Sequence, residues 1–298
     1  MANKIIISRV FIVCVGLVAL LNLFSPGARG EDLEKIRETG VLRHLGVPYA
    51  NFVTGSGDGM DVELMRLFAE SLGVEYRYVP CSWKSVIGDL TGKQVRAVGD
   101  DVEIVGSVPV RGDVIANGFT ILDWRRKIVR FSSHTFPTQV WLVARADSHL
   151  TPIQPSGDTD RDIAAVKKGL KGLKVFGVLN TCLDPALYNI ENTGAVVRLF
   201  EGNVNELAPA VVNGEADATL LDVPDALIAL EKWPGKVKVI GPVSEMQGMG
   251  VAFDKSSVEL CEAFEIFLER CRDDGIYTAL VKKYYPAVFR YYPEFFRH

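Results

Sequence analysis

The 298 residues contain no CxxC pair, no HExxH, no GxSxG and no phosphate-cradling GxxxxGK[ST] loop. Zinc ligation, serine hydrolysis on a nucleophile elbow and nucleotide binding therefore have no local motif to build on. Only four histidines occur, at 44, 134, 149 and 298, and they show neither triad nor metal-ligand spacing. No block of like charge is present, so the electrostatic footprint of a nucleic-acid binder is missing. Long apolar runs are also absent, with one exception at the N-terminus.

That exception runs from Val10 to Phe24, interrupted only by Asn22. Lys4 and Arg9 precede it, Ser25-Pro26-Gly27 breaks it, and Ala28-x-Gly30 places small residues before a cleavage point. This is the layout of a secretory signal peptide, too short for a span of about 20 residues. The expectation is a leader over residues 1–30, cleaved near Gly30; an uncleaved anchor is the alternative. The whole chain has 33 basic and 37 acidic residues, and loss of Lys4, Arg9 and Arg29 leaves 30 against 37. The remainder is then mildly acidic, as suits an exported protein. Cys14 would leave with the leader. Cys81, Cys182, Cys261 and Cys271 would stay, in a compartment that permits disulfides. Cys261 and Cys271, ten residues apart on one expected helix, stand roughly 15 Å apart and cannot bridge each other.

Beyond the leader, strand and helix patterns alternate, which predicts an α/β fold. A helix over EDLEKIRETG ends at Gly40 and feeds a strand over Val41–Val47. A second helix starts with an acidic turn at Asp61, puts Leu64, Leu67, Phe68 and Leu72 on one face, and closes at Gly73. Further strands are expected over 74–79 and near 112–116, with a short helix from Trp83 to Leu90 and a hairpin-like excursion over 94–111. After an extended stretch from Phe136 to Arg145 and a Pro/Ser/Gly/Asp-rich loop over 147–162, a second αβ series begins at Leu173. It includes a helix from Thr181, a strand ending at Leu221 and a helix from Pro224. Two amphipathic helices close the chain. Two lobes with a cleft between them follow.

The order of segments LEKIRETGVLRHLGVPYANF, GMDVELMRLFAESLGV, GDVIANGFTILDWRRKIVRFS, NGEADATLLDVPDALIAL and AFEIFLERCRDDGIYTALVKKYYP resembles the family 3 solute-binding proteins of bacterial ABC transporters. The resemblance implies the two-lobed type II periplasmic-binding fold with a hinge. Residues 31–138 and 247–298 would form lobe 1, 139–246 lobe 2, and 94–111 a lobe 1 insertion. It further implies a monomeric periplasmic protein that delivers a small amino acid or related carboxylate to an inner-membrane ABC permease, with no cofactor, no metal and no nucleic acid.

Carried over by position, Tyr49 and Phe52 match an aromatic wall and Trp83 a second aromatic. Gly118 and Thr120 match donors to the ligand carboxylate, Arg125 its guanidinium fork, Thr181 a lobe 2 donor, and Asp222 the acceptor of the α-ammonium. Elementary chemistry agrees. A buried zwitterion needs partners for both charges, arginine forks onto carboxylates while always protonated, and a helix N-terminus adds donors. Each residue also has a plainer reading. Arg125 could be a solvated charge beside Arg126 and Lys127, Asp222 an N-cap before Pro224, Thr181 a cap, and the aromatics core. The segment Leu122-Asp123-Trp124 departs from the family's usual Thr-Pro-Glu, and Asn180-Thr181-Cys182 from its Gly-Thr-Thr, which leaves the ligand side chain open. Trp124 is a candidate pocket rim. An enzyme resembling cyclohexadienyl dehydratase, with Glu245 as a suspect acid, and a ligand sensor are the competing functions.

Overall fold

The computed structural model describes residues 31–296 apart from 56 and 100; the expected leader and Cys14 lie outside these. No helix among the described residues is long and apolar enough to cross a membrane.

Helix α1 (Glu31–Thr39) leads into strand β1 (Val41–Gly46), and helix α2 (Met60–Leu72) carries the chain to strand β2 (Glu75–Pro80), parallel to β1. Asp61 and Glu63 sit in the first turn of α2, where the helix dipole favours acids, and Leu64, Met65 and Phe68 are buried. Gly73 ends α2 in the left-handed region at φ 73, returning its N–H to the last carbonyls. Helix α3 (Val86–Thr91) precedes an antiparallel hairpin of β3 (Lys93–Val98) and β4 (Asp101–Ser107). Strand β5 (Val114–Ile115), helix α4 (Asp123–Ile128) and strands β6 (Val129–Phe131), β7 (Phe136–Thr138) and β8 (Val140–Arg145) follow. Next come α5 (Thr159–Lys168), β9 (Lys174–Gly177), β10 (Val196–Leu199), α6 (Leu207–Val212), β11 (Ala218–Asp222), α7 (Val223–Lys232) and β12 (Val237–Pro242). Strands β13 (Gln247–Met249) and β14 (Ala252–Asp254) and helices α8 (Val258–Asp273), α9 (Ile276–Tyr284) and α10 (Val288–Tyr291) complete the described chain.

Two five-stranded sheets result. The first has the order β2-β1-β5-β14-β6 and the second β10-β9-β11-β8-β12. The chain leaves the first sheet after β6 and rejoins it at β14, and the antiparallel pair β7–β13 stands at this double crossing. The fold is thus two-lobed α/β, with two strands joining the lobes. In both sheets the central strands are almost wholly buried, β8 and β11 most of all, because helices cover both faces.

Two expectations fail locally. Helix α5 starts inside the stretch read as loop. Asp158 caps it by accepting the Arg161 N–H, so a polar sequence reads as loop although the cap makes a helix start. Conversely, no α-helix begins at Thr181. Asn180 takes a left-handed φ of 61, Asp184 is extended before Pro185, and only a 3-10 turn over Pro185–Tyr188 forms. A residue before proline is steered out of the helical region, and this one turns the chain too late for Thr181 to sit on a helix end. All four described cysteines are free, and Cys261 and Cys271 are both buried on α8.

Candidate functional site

Helix α4 is only six residues long, and its faces separate its three basic residues. Arg126 and Lys127 are exposed, and Lys127 reaches Asp101 of the hairpin at 3.4 Å. Arg125 points inward and is 1% exposed. Its Nη1 donates to the Thr120 carbonyl at 2.9 Å and its Nη2 to the Asn180 carbonyl at 3.4 Å. The guanidinium lies 4.1 Å from the centre of the Phe119 ring. Its Nε has no partner, and none of the ion pairs among the described residues includes it. Burial pulls its pKa down to about 10, so it stays a cation at neutral pH. A buried cation without an anion is expensive.

Across the space from Arg125, β11 delivers Asp222 at its C-terminal end, where open α/β sheets form their ligand crevices. Asp222 is also the N-cap of α7, accepting the Asp225 N–H at 3.4 Å, with Pro224 just inside the helix. The N-cap reading thus holds, and it leaves the carboxylate at the edge of the same space as Arg125. The Tyr49 hydroxyl donates to Asp222 Oδ1, and the Cys182 thiol donates to Oδ2 at 3.5 Å. Burial raises the Asp222 pKa to about 6 despite these donors. Asp225, buried behind it, is pushed well above the carboxylate range by burial and by the Asp222 charge.

Between these groups lies a narrow cavity of about 10 Å3, lined by Tyr49, Trp83, Gly118, Thr120, Arg125, Thr181, Cys182, Leu183, Val204 and Asp222. All seven ligand-contact residues expected from the sequence line this one space, although they come from both sheets' lobes. The hydroxyl of Thr120, the indole N–H of Trp83 and Nε of Arg125 are buried there without hydrogen-bond partners. The Thr120 hydroxyl does stand beside the Cys182 thiol, a weak hydrogen-bonding group.

Details depart from expectation. The Gly118 N–H does not face the cavity free, since it donates to Asp61 Oδ2 at 2.7 Å. Gly118 instead serves as a turn at φ 64, where a Cβ would lie 2.4 Å from Phe52. Thr181 is tied into its own turn, donating to the Val178 carbonyl and accepting the Leu183 N–H. Phe52 packs in the core against Phe136 and Tyr285. Trp124 is buried beside the Arg125 guanidinium and does not line the cavity. Glu245 is exposed and outside it. Cys182, Leu183 and Val204 were missed as cavity walls. Small and apolar side chains carry no signal that separates a wall from a core position.

Residues 110–287 match the model of the bacterial extracellular solute-binding proteins, family 3. The chain is 25% identical over 236 residues to the lysine/arginine/ornithine-binding periplasmic protein of Escherichia coli (strain K12), covering 76% of this chain and 78% of the relative. Among solved structures, a mutant of ArgBP from T. maritima aligns with a TM-score of 0.67 and 25% identity, covering 86% of this chain and 99% of that one. An ancestral amino acid-binding protein described as a precursor of cyclohexadienyl dehydratase aligns with a TM-score of 0.64 and 26% identity, over 85% of this chain and 98% of the other.

Proposed function

The chain belongs to the bacterial extracellular solute-binding proteins of family 3, and from this premise we propose that it captures a small amino acid between its lobes. The observation that carries the reading is the Arg125 guanidinium, buried, unpaired by any acid and bordering a cavity whose far side holds Asp222. A ligand carboxylate would supply the missing anion, with the Thr120 hydroxyl as a further donor. The ligand ammonium would meet Asp222, held in place by Tyr49 and Cys182. A zwitterion satisfies both ends at once, which neither a simple cation nor an apolar molecule does.

Residues 31–138 with 247–298 act as one lobe and 139–246 as the other, so that ligand binding closes the pair about β7 and β13. The closed protein, exported after loss of residues 1–30, presents its surface as a monomer to an inner-membrane ABC permease. Relatives named as amino acid-binding proteins support the choice of ligand class. A thermal-unfolding screen with free amino acids tests it. A binding amino acid should raise Tm by mass action, and Arg125→Ala should abolish the rise. If no zwitterion or carboxylate moves Tm, the reading falls; turnover of prephenate or arogenate would put an enzyme in its place.

A further inference from the structure

We propose that the amino acid bound in the cleft has an uncharged side chain, so that basic and acidic amino acids are excluded. The proposal deepens the reading above and rests on it.

Charge balance carries the argument. The described residues lining the cavity include one cation, Arg125, and one anion, Asp222. Those two are consumed by the ligand's own carboxylate and ammonium. What remains of the wall is Tyr49, Trp83, Leu183 and Val204, with the small Gly118, Thr120, Thr181 and Cys182. A lysine or arginine side chain would bring a second cation beside Arg125 with no acid to meet it. A glutamate or aspartate side chain would bring a second anion beside Asp222 with no cation left. Buried charge without a partner is the costliest thing such a wall can enclose.

Other acids close by do not fill the gap. Asp222 already accepts from the Tyr49 hydroxyl, the Cys182 thiol and the Asp225 N–H, which leaves room for one ammonium. Asp225 lines a different groove, with Asn205 and Lys232. Leu183 and Val204, 1% and 3% exposed, are apolar walls that offer a second charge no partner. The unpartnered indole N–H of Trp83 is the one donor left over for a neutral side chain with an acceptor, such as a hydroxyl or amide.

The test is calorimetric titration of the purified protein with alanine, serine, threonine, glutamine, arginine, lysine, aspartate and glutamate. Each is repeated on Arg125→Ala. At least one neutral member should bind the parent protein, with the four charged ones weaker by on the order of a hundredfold or more. Val204→Asp adds an acid to the wall and should narrow the gap for lysine. Any of the four charged members binding at least as tightly as every neutral member overturns the exclusion while leaving amino acid capture standing. Failure of all eight to bind removes amino acid capture itself. The parent panel decides the matter even if Val204→Asp does not fold.

Discussion

At the residue scale, two buried charges define the molecule's chemistry, and each is kept in an unfavourable state until something binds. Asp222 has a pKa raised by burial to about 6, above the usual aspartate value. It must be ionised to receive an ammonium, so a proton is released on binding wherever the free carboxyl is protonated. Affinity for a zwitterion should therefore be flat above about pH 6 and fall by about tenfold per pH unit below it. Calorimetry from pH 4.5 to 8 checks this, and Asp222→Asn should weaken binding and remove the slope. His44 illustrates the contrasting case of a buried titratable group that is structural. It is fully buried between the Tyr76 hydroxyl and the Ala116 carbonyl, with its pKa pulled down to about 4 by burial. The folded state thus holds it neutral, and its contribution to stability is lost as pH falls from the ordinary histidine value towards 4.

At the scale of elements, the turn 117–120 and the short helix α4 place the cavity's donors. Gly118 permits the left-handed turn, Asp61 on α2 pins its N–H, and the chain then delivers Thr120 and Arg125 from the same side. Gly118→Ala should lower stability by about 3 kcal/mol, from a disfavoured φ together with the 2.4 Å approach to Phe52. It should weaken ligand binding as well, since the turn carries Thr120. Denaturant unfolding and the ligand titration measure the two effects. The β3–β4 hairpin is different in kind. Val98, Ile104 and Val105 are each about half exposed on it, and its ion pair to α4, Lys127–Asp101, is exposed and screened by water, while Val95, Ala97 and Val102 pack against the core.

For the whole molecule, the lobes in this structure are drawn together by hydrogen bonds that bridge the cleft. Tyr49 reaches Asp222, Asn205 reaches the backbone of Ala50 and Pro48, and Arg125 reaches the Asn180 carbonyl. These few polar contacts are a small force for holding two lobes shut, whereas a bound zwitterion would add charge-assisted bonds to both. The radius of gyration by small-angle scattering should therefore shrink when a binding amino acid saturates the protein. It should stay put for Arg125→Ala. An unchanged radius on saturation would rule out hinge closure as the response to ligand.

Periodicity and punctuation in the chain were enough to reveal alternating strands and helices, the acidic first turn and Gly73 stop of α2, the amphipathic α8, and the hairpin. These are set by local hydrophobic spacing and by residues with restricted backbone freedom. The identity of the cavity residues was legible through the order of motifs that the chain shares with its family, because position along a shared fold maps to position in space. What each residue does there was decided by tertiary packing. Arg125 and its neighbours Arg126 and Lys127 are indistinguishable as sequence; only the face of α4 turned towards Phe119 makes one of them a buried cation. The Gly118 N–H is occupied because Asp61, 57 residues away in the chain, folds against it. Leu183 and Val204 become walls of the cavity only through the tertiary fold that sets them opposite Tyr49 and Arg125, since burial of an apolar side chain depends on which surface meets it and not on its local sequence.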